Sequence, residues 1–189
     1  MESTPEKTGN PDTQSPPTSN LGMVKFIAIF LALLWGFYFL YINYFIGTDL
    51  FKHYLNLSVS VISKFLEATG EQVHLLNLTN GLRGEIASHD GAYVRFTEGT
   101  DGLMVMAVLV SAIIAWPGLI ARKLIAVLLA VIFIYFANLL RVCAMFKVDV
   151  YFAPHFDLVN EWIFPIALII AASAYFFGWV KISGRHPLE

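Results

Sequence analysis

The chain has 189 residues, of which 57% are hydrophobic and only 14% charged, and its mean hydropathy is +0.66. That balance is wrong for a soluble domain, where about a quarter of residues are charged, and fits one unit whose solvent is partly lipid. A formal net charge of −2 without a basic, aromatic-laced stripe excludes a nucleic-acid partner, and the lone Cys143 excludes an internal disulfide.

Residues 1–22 form an N-terminal tail. Through Asn20 it is rich in Pro, Ser, Thr and Asn, including Pro5, Pro11, Pro16 and Pro17, and has little to bury, so disorder is expected. Residues 24–47 are apolar apart from Lys25 and Asn43, and aromatic in their second half, from Trp35 to Phe45. The run is too long for a signal peptide and lacks a small-residue cleavage site, so it reads as a retained transmembrane helix.

Residues 49–69 place Phe51, Tyr54, Leu55, Ile62, Phe65 and Leu66 near helical spacing. This predicts an amphipathic helix on or in the membrane surface. Residues 72–78, 82–88 and 92–98 read as three short strands. They are separated by Asn80-Gly81 and Asp90-Gly91, dipeptides that favour hairpin turns. A small β-meander is therefore expected within the loop 48–101.

Three further apolar spans follow at residues 103–121, 124–146 and 162–180, with Arg122-Lys123 in the turn between the first two. The fold class is thus a membrane all-α bundle of about four transmembrane helices, with an outer amphipathic helix and a β-meander. The membrane domain covers residues 23–183, and 184–189 form a C-terminal tail. Lys25, Arg122, Lys123, Lys181 and Arg185 all fall on one side after four crossings. By the positive-inside rule that side, with both termini, is cytoplasmic.

Arg141 lies inside the third span, five residues before Phe146, with Asn138 on the same helical face. A guanidinium inside a membrane is costly unless it snorkels, pairs or lines a wet cavity, and so marks a functional position. The topology brings Thr100-Asp101 and Asn160-Glu161 to the same outer region, where Asp101 or Glu161 would pair with Arg141. Plainer readings stand beside this one. Arg141 with a carboxylate would be a clamp between helices, and Thr100-Asp101-Gly102 and Asn160-Glu161 would be helix caps. Cys143 reads as a packing residue. His53, His74, His89 and His155 lack ligand spacing, so no metal is expected. Of these, His155 is the one expected to reach the cluster.

From about residue 50 to residue 179 the chain resembles the exosortases and archaeosortases, closest to the exosortase H type. Four motifs carry the resemblance. They are Glu98-Gly99-Thr100-Asp101-Gly102-Leu103, Ile114-Ala115-Trp116-Pro117, Asn138-Leu139-Leu140-Arg141, and Phe156-Asp157-Leu158-Val159-Asn160. The resemblance implies a polytopic plasma (inner) membrane peptidase or transpeptidase. Its site would lie at the outer face, and its partner would be a membrane-anchored protein bearing a C-terminal sorting signal. It implies no cofactor. The family's Cys, Arg and His positions correspond here to Thr100, Arg141 and Asn160, with Asp101, Asn138 and His155 in support. Two of the three catalytic types are changed. A threonine hydroxyl needs a general base to become a nucleophile, and an asparagine amide is not one.

The leading expectation is therefore an exosortase-like protein with a degenerate site that acts in binding. One alternative is an active variant with Thr100 as nucleophile, Arg141 at the oxyanion, and His155 or Asp101 as base. Another is a non-enzymatic membrane scaffold.

Overall fold

The computed structural model describes residues 20–76, 84–88, 91, 93–96 and 99–183. Most of the two expected tails, the Asn80-Gly81 turn, and Asp90, Thr97 and Glu98 lie outside the described residues. The described chain is mostly helical, with one small antiparallel sheet.

Helix α1 (Asn20–Leu40) is apolar throughout and runs into a π-helical turn, Tyr41–Phe45. The chain then reverses at Gly47 (φ 89°), and the Thr48 hydroxyl accepts the Phe51 N–H at 3.2 Å. That contact is an N-cap, and it starts α2 (Asp49–Ala68). Phe51, Leu55, Val59, Ile62 and Leu66 are buried, so the predicted amphipathic helix is present and its inner face is packed.

Strands β1 (Val73–Leu76), β2 (Gly84–Ser88) and β3 (Tyr93–Phe96) pair antiparallel in that order, with Val73 opposite Ser88 and Ala87 opposite Tyr93. Gly91 (φ 90°) supplies the left-handed turn residue between β2 and β3, and its N–H donates to the Ser88 carbonyl at 3.3 Å. In β3 Val94 and Phe96 are buried while Tyr93 and Arg95 are exposed, as the alternation predicts.

Two expected spans change their bounds. Helix α3 (Leu103–Ala115) has 13 residues, not the span 103–121, and ends where Trp116 becomes extended (ψ 136°). The cause is Pro117, which disfavours helical geometry in the residue before it. Helix α4 (Ile120–Phe152) has 33 residues, so it begins before Arg122-Lys123 and continues past Phe146. At 1.5 Å per residue α4 is about 50 Å long, and Arg141 lies roughly three turns, about 16 Å, before its end. Past α4 the chain folds back through a 3₁₀ turn (Ala153–His155), the short α5 (Phe156–Leu158) and a π turn (Val159–Ile163) into α6 (Phe164–Ser183). The segments Gly22–Phe45 and Ile120–Ser183 are long and apolar enough to cross a membrane, whereas Leu103–Ala115 is apolar but shorter.

Two cores hold these elements. In one, α2 and the sheet pack on α4 through Phe51, Leu55, Ile86, Phe96, Leu139 and Phe146. Cys143 is buried there, as a packing residue. In the other, α3, α4 and α6 meet at Leu109, Ile113, Ala126, Ala130, Ile134 and Ala172. The small Ala126 and Ala130 let helices approach closely, and the Tyr175 hydroxyl donates to the Ala126 carbonyl at 2.8 Å. At the far end Arg122 donates to the Ser183 carbonyl at 3.1 Å and Lys123 to the Ile114 carbonyl at 2.8 Å. Both cap the carbonyl-rich ends of helices.

The last turns of α4 carry polar residues because they grip the sheet. Asp149 accepts the Tyr93 N–H at 2.8 Å, while Lys147 (3.0 Å) and Tyr151 (3.1 Å) both donate to Glu71. The hydrogen bond from Lys147, with a lesser one from Tyr151, holds the Glu71 carboxyl below its ordinary value. A depressed carboxylate contributes stability above its unfolded pKa and loses it as pH falls through the folded one. Hydrogen exchange in β1 to β3, corrected for intrinsic rates, should therefore rise between about pH 7 and about pH 3. In Glu71→Gln that rise should shrink, and an unchanged pH profile would show that the clamp does not hold the sheet.

Candidate functional site

At the sheet-capped end of the molecule α1, α2, α3, α4 and the turn before α6 converge on a small group of polar residues. Asp101 has 0% of its surface exposed. Its Oδ2 accepts the Tyr41 hydroxyl at 2.6 Å and its Oδ1 accepts the Leu103 N–H at 3.1 Å, while its backbone carbonyl accepts the Tyr54 hydroxyl at 2.7 Å. Asp101 thus caps the first turn of α3 and ties α1 and α2 to it. Burial pushes the Tyr54 phenol well up, and the neighbouring Asp101 charge adds to the shift, so Tyr54 stays protonated as a donor.

The next residue brings α3 against α4. Gly102 (φ 79°) leads into α3, and a Cβ placed on it would lie 2.8 Å from Asn138 Cγ. Only glycine accepts both this backbone and this approach. Asn138, 1% exposed, donates from Nδ2 to the Thr100 carbonyl at 3.0 Å, while its buried Oδ1 has no partner among the described residues.

One turn further along α4, Arg141 is partly buried. Its Nη2 donates to Asn160 Oδ1 at 3.5 Å, the outer limit of a hydrogen bond, and its buried Nε has no partner among the described residues. A guanidinium offers five N–H donors, and a buried one left unmade costs about 1–3 kcal/mol.

Of the predicted residues, Thr100, Asp101, Asn138, Arg141 and Asn160 lie at this end with different pairings from those expected, and His155 does not join them. Thr100 meets Asn138 and Arg141 meets Asn160, so one turn of α4 joins the two contacts, and the described residues show no direct hydrogen bond between Thr100 and Arg141. The expected ion pair of Arg141 with Asp101 or Glu161 is not formed among the described residues. The Asp101 carboxylate instead receives Tyr41 and the Leu103 N–H, and Glu161 is exposed. His155 is exposed, and its side chain makes no hydrogen bond or ion pair among the described residues. No group of three or more His, Cys, Asp or Glu side chains is placed to hold a metal ion among those residues.

Tyr41 and Tyr54 were missed as site residues. They read as members of apolar runs, and the only signal was Tyr where Phe would pack as well, since a buried Tyr hydroxyl seeks a partner. No protein-family model, curated protein or solved structure matches the chain.

Gly102→Ala should lower stability by about 1–3 kcal/mol, from left-handed backbone strain plus the clash with Asn138. Gly99→Ala is the control, since Gly99 has a similar φ of 82° but nothing within 4 Å of the added Cβ. Thermal unfolding in detergent should rank Gly102→Ala below Gly99→Ala. Equal losses would mean that the contact with Asn138 contributes nothing.

Proposed function

We propose that the chain is an exosortase- or archaeosortase-like protein of the plasma (inner) membrane. In this reading α1, α3, α4 and α6 are its four spans and the polar group lies at the outer face. The site captures the C-terminal sorting segment of a membrane-anchored partner without cutting it. The apolar helices and the basic residues at the opposite end, Lys25, Arg122, Lys123 and Lys181, support the topology by the positive-inside rule. Helix α3 is shorter than a hydrocarbon core of about 30 Å, so the extended chain at Trp116 and the turn at Thr100–Gly102 complete its crossing within protein contacts.

The observation that carries the binding role is Arg141. Its only hydrogen bond among the described residues is a long one to a neutral amide, and it has no carboxylate partner there. An arginine so placed favours an incoming carbonyl or carboxylate, which it would hold by charge-assisted hydrogen bonds. Catalysis by Thr100 is less well supported, because each base it would need is otherwise disposed. Asn160 is an amide, the Asp101 carboxylate is occupied by Tyr41 and the Leu103 N–H, and His155 stands exposed.

Co-purification with a membrane-anchored bait bearing a C-terminal sorting segment tests the proposal. Arg141→Ala should weaken capture by about tenfold or more, the equivalent of one hydrogen bond to a charged group. Arg141→Lys should restore it only partly, since lysine lacks the planar fork. Thr100→Ala should bind like the wild type. Unchanged capture by Arg141→Ala would contradict the proposal, and loss of bait processing in Thr100→Ala would establish the threonine enzyme instead.

A further inference from the structure

Helix α2 has three faces rather than two. At 100° per residue, Phe51, Leu55, Val59, Ile62 and Leu66 occupy about one third of its circumference, buried against the sheet and α4. Lys52, Asn56, Ser60, Lys64 and Glu67 occupy about another third. The remaining third holds Leu50, Leu57, Val61 and Phe65, which are 37–67% exposed, together with Tyr54, which is half-buried and donates to the Asp101 carbonyl. An apolar stripe of this kind on a helix that is already packed calls for a cover of its own.

Its position along α4 identifies that cover. The Tyr54 and Tyr135 rings lie 6.0 Å apart, and the Ser58 hydroxyl lies 3.5 Å from the Tyr135 hydroxyl. Tyr135 is about 20 Å along α4 from Arg122 at the basic end, and so is still inside a hydrocarbon core of about 30 Å. Only residues 46–48 separate the π turn that ends α1 from α2, which leaves α2 no length to climb away from the membrane. Trp35 and Phe39 of α1 and Tyr44 of the π turn, just before α2 in the chain, are exposed apolar side chains as well.

We propose that α2 is an interfacial helix inserted in the outer leaflet, with Leu50, Leu57, Val61 and Phe65 against lipid acyl chains and Asn56, Ser60 and Lys64 toward water. This rests on the membrane reading above and adds to it a lipid-binding face on the element that holds Tyr54 against Asp101. Inserted apolar groups anchor such helices, while the charged face stays at the headgroups.

Single cysteines at positions 56, 57, 60, 61, 64 and 65 can carry nitroxide labels in the full chain, reconstituted in phosphatidylcholine and phosphatidylglycerol vesicles. Cys143 is buried, and labelling of the unsubstituted chain sets its background. Labels at Leu31 and Ile170, exposed on α1 and α6, serve as lipid references. Positions 57, 61 and 65 should show an oxygen-to-nickel accessibility ratio matching the references and several-fold above that at 56, 60 and 64. A nickel-accessible ratio at 57, 61 and 65 with lipid-like references would overturn the interfacial helix alone. Labels there shielded from both probes would overturn it in favour of a protein cover. Nickel access at the references themselves would overturn the membrane reading, and this inference with it.

Discussion

A carboxylate with none of its surface exposed must find every hydrogen bond inside the protein, and Asp101 obtains its bonds from different parts of the chain. Tyr41 comes from the end of α1, and the Leu103 N–H from the start of α3. Tyr54 reaches from α2 to the backbone of the same residue. Removing one donor would leave a buried acceptor unmade, so the three elements are positioned together. The π turn at Tyr41–Phe45 belongs to this constraint, since it carries Tyr41 to the carboxylate. Gly102 then sets how closely the assembled group lies on Asn138 of α4.

Helix α4 is the element on which both ends of the molecule are organised. Its lower half packs through small alanines against α3 and α6, and its upper half carries α2 and the sheet. Its last turns hold the sheet by Asp149 and hold Glu71 by Lys147 and Tyr151. Asn138 and Arg141 sit between these two regimes. Asn138 is consumed by structure on one side, through the Thr100 carbonyl, whereas among the described residues Arg141 makes one long hydrogen bond and its buried Nε makes none. Functional sites tend to keep polar groups that the fold itself does not satisfy.

Much of this architecture was legible in the residue pattern. The amphipathic spacing of Phe51, Leu55, Ile62 and Leu66 marked α2, and the alternation around Val94 and Phe96 marked β3. Apolar runs placed the long helices, and the order of the spans brought the segments of Thr100, Arg141 and Asn160 to one end. The end of α4 was not legible, because Lys147 and Asp149 resemble loop residues until their partners on the sheet are known. The length of α3 was obscured by an apolar run that continues past Pro117. The pairing of Arg141 was misjudged because proximity in sequence topology does not say which donor reaches a carboxylate first. Tyr41 and the Leu103 N–H reach Asp101, and Asn160 is left to meet Arg141.

The buried Asp101 junction couples α1 to the start of α3 and so holds the candidate site together. A double-mutant cycle between Tyr41→Phe and Asp101→Asn, read by reversible unfolding in mixed micelles, measures that coupling directly. Asp101→Asn keeps an oxygen for the Leu103 N–H and removes the charged acceptor of the Tyr41 phenol. The expected coupling is about 1–3 kcal/mol, as for a buried charge-assisted hydrogen bond. Strictly additive losses, with no coupling beyond about 0.3–0.5 kcal/mol, would contradict it.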